Sequence, residues 1–179
     1  MMEDKFKECL WVNFAAAIDM LKNAVALCPD ELWWQDKKFF YLSYHTTIFL
    51  DFYLTKPVKD FAPALPYTIV DSNGLPAEAV DDVIPNRVYS QQEVLDYLSI
   101  IRDKCKTLII RSSEDQLMER WIDPSEIDLH GLCPSLVRNY TVLEILFYNF
   151  RHVQHHAGQL NLLLRQKINK GPEWVSHAH

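Results

Sequence analysis

The stretch "QDKKFFYLSYHTTIFLDFYL", residues 35–54, runs for twenty residues without a glycine or a proline. That is too long for one strand of an ordinary sheet, so helix is the expected state despite the aromatic and β-branched content. Phe39, Leu42, His45, Phe49 and Phe52 recur at spacings of three and four, which places them on one helix face. One member of that apolar stripe is a histidine. A ring nitrogen on a buried face needs a partner, so the position of His45 asks for an explanation.

The same period appears in residues 5–28, where Phe6, Leu10, Phe14, Ala17, Leu21 and Val25 form a stripe that Pro29 and Asp30 close. From Thr55 to Tyr89 the period disappears. This segment holds five of the nine prolines and the turn sequence "DSNG" at 71–74, and reads as a long crossover. Ser90 with Glu93 three residues later forms a capping box, flanked by Tyr89 and Val94 at the positions of a hydrophobic staple. A third helix is predicted from there to Arg111. Residues 112–138 contain the breakers Pro124, Gly131 and Pro134. Within them "EDQLMERWI" predicts a short helix and "IDLHGL" a short extended piece. Thr141 and Glu144 form a further capping box that opens a last helix over 141–168. Four helices and two long connections predict an all-α four-helix bundle that does not follow a simple up-down-up-down path.

A chain of 179 residues with 49% hydrophobic and 23% charged residues suits one domain with a sizeable core. Residues 1–170 are expected to form it, with 171–179 as a tail. The net charge of −6, with no cluster of Lys and Arg, argues against a nucleic-acid partner. The opening "MMEDKFKECLWVNF" lacks the features of a secretory signal, and no segment reaches 18 uninterrupted apolar residues. No membrane partner and a cytoplasmic location are therefore expected. Cys9, Cys28, Cys105 and Cys133 form no CxxC pair and read as reduced thiols, with Cys9 and Cys105 as small buried hydrophobes. Trp33 and Trp34 either mark a homodimer surface or pack under the crossover.

Five consecutive positions in the last helix hold three of the seven histidines, His152, His155 and His156. His152 and His156 are four apart and share a face about one turn, ~6 Å, apart, which suits chelation of one ion. His155 points about 60° to one side, by the ~100° that each helical residue adds, and could be a third ligand only with strain. His45, in the middle of the other long apolar face, is the expected third ligand. Three neutral imidazoles with an open position describe a catalytic site for one divalent ion, Zn²⁺ or Ni²⁺ first, with Fe²⁺ or Mn²⁺ as alternatives. Gly158 predicts close approach of a neighbouring helix, while Gln159 and Asn149 are candidate outer hydrogen-bond partners. His130 is expected in a loop, and His177 and His179 in a frayed terminus.

The segment "HVQHHAGQLNLLLRQ" resembles the H-x-x-H-H-x-G-Q signature in the last helix of DinB/YfiT-like proteins. The likeness extends to "PDELWWQDKKFFYLSYHTTIFLDFYL", with its central histidine, and to "YSQQEVLDYLSIIRD". The resemblance implies a DinB-like bundle with up-down-down-up topology and one divalent metal on His45, His152 and His156. It also implies metal-dependent transferase or isomerase chemistry with low-molecular-weight thiols, although many members have no known activity. Where such proteins often carry an arginine after the paired histidines, this chain has Ala157, which leaves Arg151 or Arg165 to meet an anionic substrate.

The expected function is thus that of a metal-dependent enzyme in which the ion lowers the pKa of a bound water or thiol and presents the anion to an electrophile. Thiol-dependent S-transfer to a small-molecule substrate is the version the resemblance favours, and metal-assisted hydrolysis the neighbouring one. His155 is the candidate catalytic proton shuttle. The rival class is a non-catalytic metal- or ligand-binding bundle with an aromatic cavity. A di-iron site is disfavoured because the paired Glu-x-x-His motifs are missing.

Overall fold

A computed structural model describes residues 2–178. The chain is mostly helical. The helices are α1 (Met2–Leu27), α2 (Asp30–Gln35), α3 (Lys37–Tyr53), α4 (Gln91–Arg111), α5 (Glu114–Met118) and α6 (Val142–Ile168). A single antiparallel hairpin, β1 (Tyr67–Ile69) with β2 (Val83–Pro85), lies in the first connection, Tyr67 opposite Pro85.

Local chemistry sets the helix starts. Ser90 and Glu93 form the reciprocal capping box of α4, and Thr141 and Glu144 that of α6, as their spacing predicts. Ser113 and Gln116 cap α5 in the same way. The helix predicted from Gln35 begins instead at Lys37, because Asp36 accepts a hydrogen bond from the Phe39 N–H and acts as its N-cap. The residues just before it wind separately into α2.

The long helices pack α1 against α4 and α6, and α3 against α6 and α4. α3 is buried on nearly every side, from Phe39 to Tyr53 with only Tyr41 partly open. A helix apolar all round belongs at the centre of a fold. At the lower end of α3 the buried Asp51 carboxylate accepts from Tyr97 Oη and from Lys104 Nζ at 2.6 Å, and the same ammonium reaches Thr55 Oγ1 at 2.6 Å. This network ties α3 to α4.

Several expectations are corrected. Phe6 is 42% exposed and rests on Phe147 rather than in the core. Cys9 is exposed, whereas Cys105 is buried as expected. Residues 127–132 form turns, not an extended piece, because the 3-10 turn at Pro124–Glu126 and the positive φ of Gly131 (68°) keep the backbone coiled. Trp33 is buried and donates from Nε1 to Tyr89 O at 2.9 Å, under the end of the crossover, while Trp34 is half exposed. The tail is not frayed at its described end, since Ala178 is buried and its N–H meets Val12 O. His177 is exposed, and His179 lies outside the described residues.

Among the described residues one helix, Asp4–Leu27, is long and apolar enough to cross a membrane by length and composition, but 61% of that window is buried inside the fold. It serves here as a core helix.

Candidate metal centre

His45 stands in the middle of α3, and His152 and His156 stand one turn apart on the face of α6 that packs against it. The register between the two helices is fixed one turn away by Asn149. This residue is fully buried and donates from Nδ2 to Leu50 O at 3.0 Å, one of the last four carbonyls of α3, which have no partner within the helix. Asn149 thus acts on helix docking, not on a histidine.

The three imidazoles converge. One ring nitrogen from each lies within 4.8 Å of the others, and the ring centroids are 5.1 Å (His45–His152), 4.9 Å (His45–His156) and 4.5 Å (His152–His156) apart. Nε2 of His45 and Nε2 of His152 are separated by 3.1 Å. Tetrahedral zinc ligands at ~2.1 Å would hold their nitrogens roughly 3.4 Å apart, so little movement is needed to admit an ion. Phe49 covers one side, 4.7 Å from the His45 ring and 5.9 Å from that of His152.

Outer partners fix which nitrogen faces inward. Nδ1 of His156 meets Oε1 of Gln159 at 2.7 Å, which keeps the proton on Nδ1 and the lone pair on Nε2. Nδ1 of His45 lies 2.9 Å from Oδ2 of Asp81, within ion-pair distance though not aligned as a hydrogen bond. The carboxylate again favours the proton on that side. Nδ1 of His152 is buried with no partner at all. Burial, reinforced by the neighbouring His45, pushes the His152 pKa down to about 2, and burial lowers His156 to about 4 against the opposing pull of Gln159. Both rings are therefore neutral at ordinary pH, the form a metal requires.

This donor set fits a divalent ion. Three ring nitrogens lie within 4.8 Å of one another, one ring is held from behind by the Gln159 oxygen and a second stands beside the Asp81 carboxylate, and an orphaned buried ring atom is left where protein chemistry alone normally supplies a partner. His155, by contrast, is exposed with its ring 5.0 Å from that of His156, outside the converging set. A cleft of about 520 Å³ opens against the triad, walled by Lys38 and Leu42 of α3, residues 77–80 of the crossover, and His156, Gln159 and Leu163 of α6. A larger cleft of about 590 Å³, between Lys56–Lys59 and residues 119–126, is lined by no histidine or cysteine.

The sequence missed Asp81. It sits in the aperiodic crossover, where no spacing relates it to His45, and only the hairpin fold brings it there. The close helix approach expected at Gly158 is also corrected: a Cβ there would meet nothing within 4 Å. His130 is a loop residue as expected, its Nε2 bonded to Val58 O at 3.0 Å. Arg165 is engaged by Asn161, whereas Arg151 is exposed on α6. Burial pushes the Cys28 thiol up to about 12 and raises Cys105 and Cys133 as well, so none of these three is a ready thiolate. No family model matches the chain, and neither a curated protein nor a solved structure is significantly similar to it.

Proposed function

We propose that this chain is a DinB-like, divalent-metal-dependent enzyme that transfers a low-molecular-weight thiol to, or hydrolyses, a small molecule. The observation that carries the reading is the convergence of the His45, His152 and His156 ring nitrogens within 4.8 Å, beside a cleft of substrate size. The cyclic packing of α1, α4, α3 and α6 supports a four-helix bundle with the up-down-down-up path of that family.

His45, His152 and His156 would hold one ion, with Zn²⁺ or Ni²⁺ preferred by three imidazoles and Fe²⁺ or Mn²⁺ accepted. A bound ion of this kind supplies Lewis acidity and makes a water or thiol a nucleophile near neutral pH. Gln159 and Asp81 orient two of the rings, and Phe49 excludes water from one side. The apolar wall formed by Leu42, Val80 and Leu163 receives the substrate body, with Lys38 and Glu78 available to its polar groups. His155, exposed beside His156, is the proposed proton shuttle between this site and solvent. Cys28, Cys105 and Cys133 are not the thiol, because burial raises their pKa values and keeps them protonated, and the reading takes the thiol from solution. We place the protein in the cytoplasm, acting on small molecules without nucleic acid or membrane, and propose a homodimer using the surface around Trp34.

Elemental analysis of untagged protein tests the reading first. One equivalent of metal in the parent and none in His152→Ala is expected. Thiol-transfer and hydrolysis assays on the parent and His45→Ala then separate an enzyme from a metal-binding bundle. Metal without activity would select the non-catalytic alternative, and no metal even on titration would overturn both.

A further inference from the structure

The hairpin connection brings Asp81 to the triad. One of its carboxylate oxygens is hydrogen-bonded and the other stands within ion-pair distance of the triad. Oδ1 accepts from the Val83 N–H at 3.1 Å, at the start of β2, and Oδ2 lies 2.9 Å from Nδ1 of His45. Val83 is buried and β2 packs on α3, so the first of these contacts anchors the carboxylate to the fold. The residues just before Asp81, from Ala77 to Val80, form one wall of the cleft beside His156. One side chain therefore joins a metal-facing imidazole to the wall of the cleft.

We infer that Asp81 is a positioning residue that couples occupancy of the histidine triad to closure of the 77–80 wall. The inference rests on the metal reading of the triad given above. A cation on Nε2 of His45 draws electron density from the ring and makes its Nδ1–H a stronger donor, so the contact to Asp81 tightens when the site is filled. Tightening holds the wall against α3. The coupling is reciprocal: a molecule that fills the cleft and steadies the wall raises metal affinity by the same factor that metal raises its own. Asp82, the next carboxylate, is exposed and makes no such contact, which gives an internal control.

The test uses the whole chain and Co²⁺, with affinity measured by chelator competition and by the visible absorption of the bound ion. Asp81→Asn, nearly the same in shape, is expected to weaken binding by about 10- to 100-fold, the usual effect of losing an outer carboxylate partner. Asp82→Asn is expected to match the parent. In hydrogen exchange, Co²⁺ should slow the amides of residues 77–83 in the parent, and saturating Co²⁺ should fail to slow them in Asp81→Asn. A purely structural Asp81 would speed exchange equally with and without metal and leave affinity unchanged, and that result overturns the inference while sparing the metal reading. Exchange in the parent that ignores Co²⁺ overturns it too. A parent that takes up no Co²⁺ removes the metal reading and this inference together.

Discussion

Two polar clusters sit on α3 less than two turns apart in sequence, and they are finished differently. Around Asp51 every buried group has its partner: the carboxylate meets Tyr97 and Lys104, and Thr55 meets the same ammonium. Around His45 the partners run out, with Nδ1 of His152 orphaned and a cleft at the edge. A buried polar network that satisfies itself holds a fold together, whereas one that turns three ring nitrogens toward one another and leaves a buried ring atom without a partner is arranged for something else. Mutation and pH should separate the two.

The largest effect is expected at the closed cluster. Asp51→Ala strands the Tyr97 hydroxyl and the Lys104 ammonium; because Lys104 partly reaches solvent, a loss of about 2–3 kcal/mol is expected, below the usual range for breaking a buried pair. The urea midpoint measures it, and Co²⁺ binding should survive. Little loss of stability would show that the network is not what joins α3 to α4.

The open cluster should respond to metal by a similar amount and to mutation less. At a free concentration 100 times its Kd, an ion bound only by the folded chain stabilises it by about 2.7 kcal/mol. The parent should therefore melt at a higher temperature with Zn²⁺, while His152→Ala should melt at the same temperature with and without it. Without metal, His152→Ala removes a ring whose Nδ1 has no partner and whose one contact is a neutral one to His45 Nε2, and it should cost less than Asp51→Ala. A metal-independent loss as large as that of Asp51→Ala would place the triad among the structural networks.

Acid sharpens the contrast further. His152 and His156 titrate at about 2 and about 4 when folded, against ~6.5 in an unfolded chain. Their folded pKa values are depressed, so the unfolded state binds more protons below pH ~6.5, and stability is lost as pH falls from there toward 4. With chelator present the loss is at most about 1.4 kcal/mol per pH unit for each histidine. Urea midpoints across that window should fall less steeply in His156→Ala than in the parent. Equal slopes would mean that the rings are not held neutral by burial.

What the sequence made legible follows the same division. The four long helices, the capping boxes of α4 and α6 and all three converging histidines are legible because each depends on spacing within one helix or on an apolar face that must meet another. Asp81 and the β-hairpin could not, because residues 70–82 carry no period and their placement depends on contacts far along the chain. α2 carries too few residues to show a period, and the two-residue misplacement of the α3 start reflects a single aspartate whose capping role depends on its dihedrals, φ −93° and ψ 83°. Asn149 stays open in the sequence, since a side chain three residues from a histidine can serve the ring or face solvent, and only the carbonyl at Leu50 shows that it does neither.

Gly158 marks the boundary of the open cluster. Two residues past His156, it has space around its Cα and no positive φ, so nothing in the fold requires glycine there. An alanine adds helix propensity and narrows the unfolded ensemble, which should stabilise α6 by about 0.5–1 kcal/mol. Because its methyl would meet none of the three histidines within 4 Å, Co²⁺ affinity should stay that of the parent. If Gly158→Ala stabilises the chain yet weakens metal binding or turnover, the open face beside His156 is a surface that substrate or a partner must approach closely. The site would then extend one helical step beyond the histidines. If both are unchanged apart from the gain in stability, the open cluster ends at Gln159, and the cleft on the side of residues 77–80 is the route by which a small molecule reaches it.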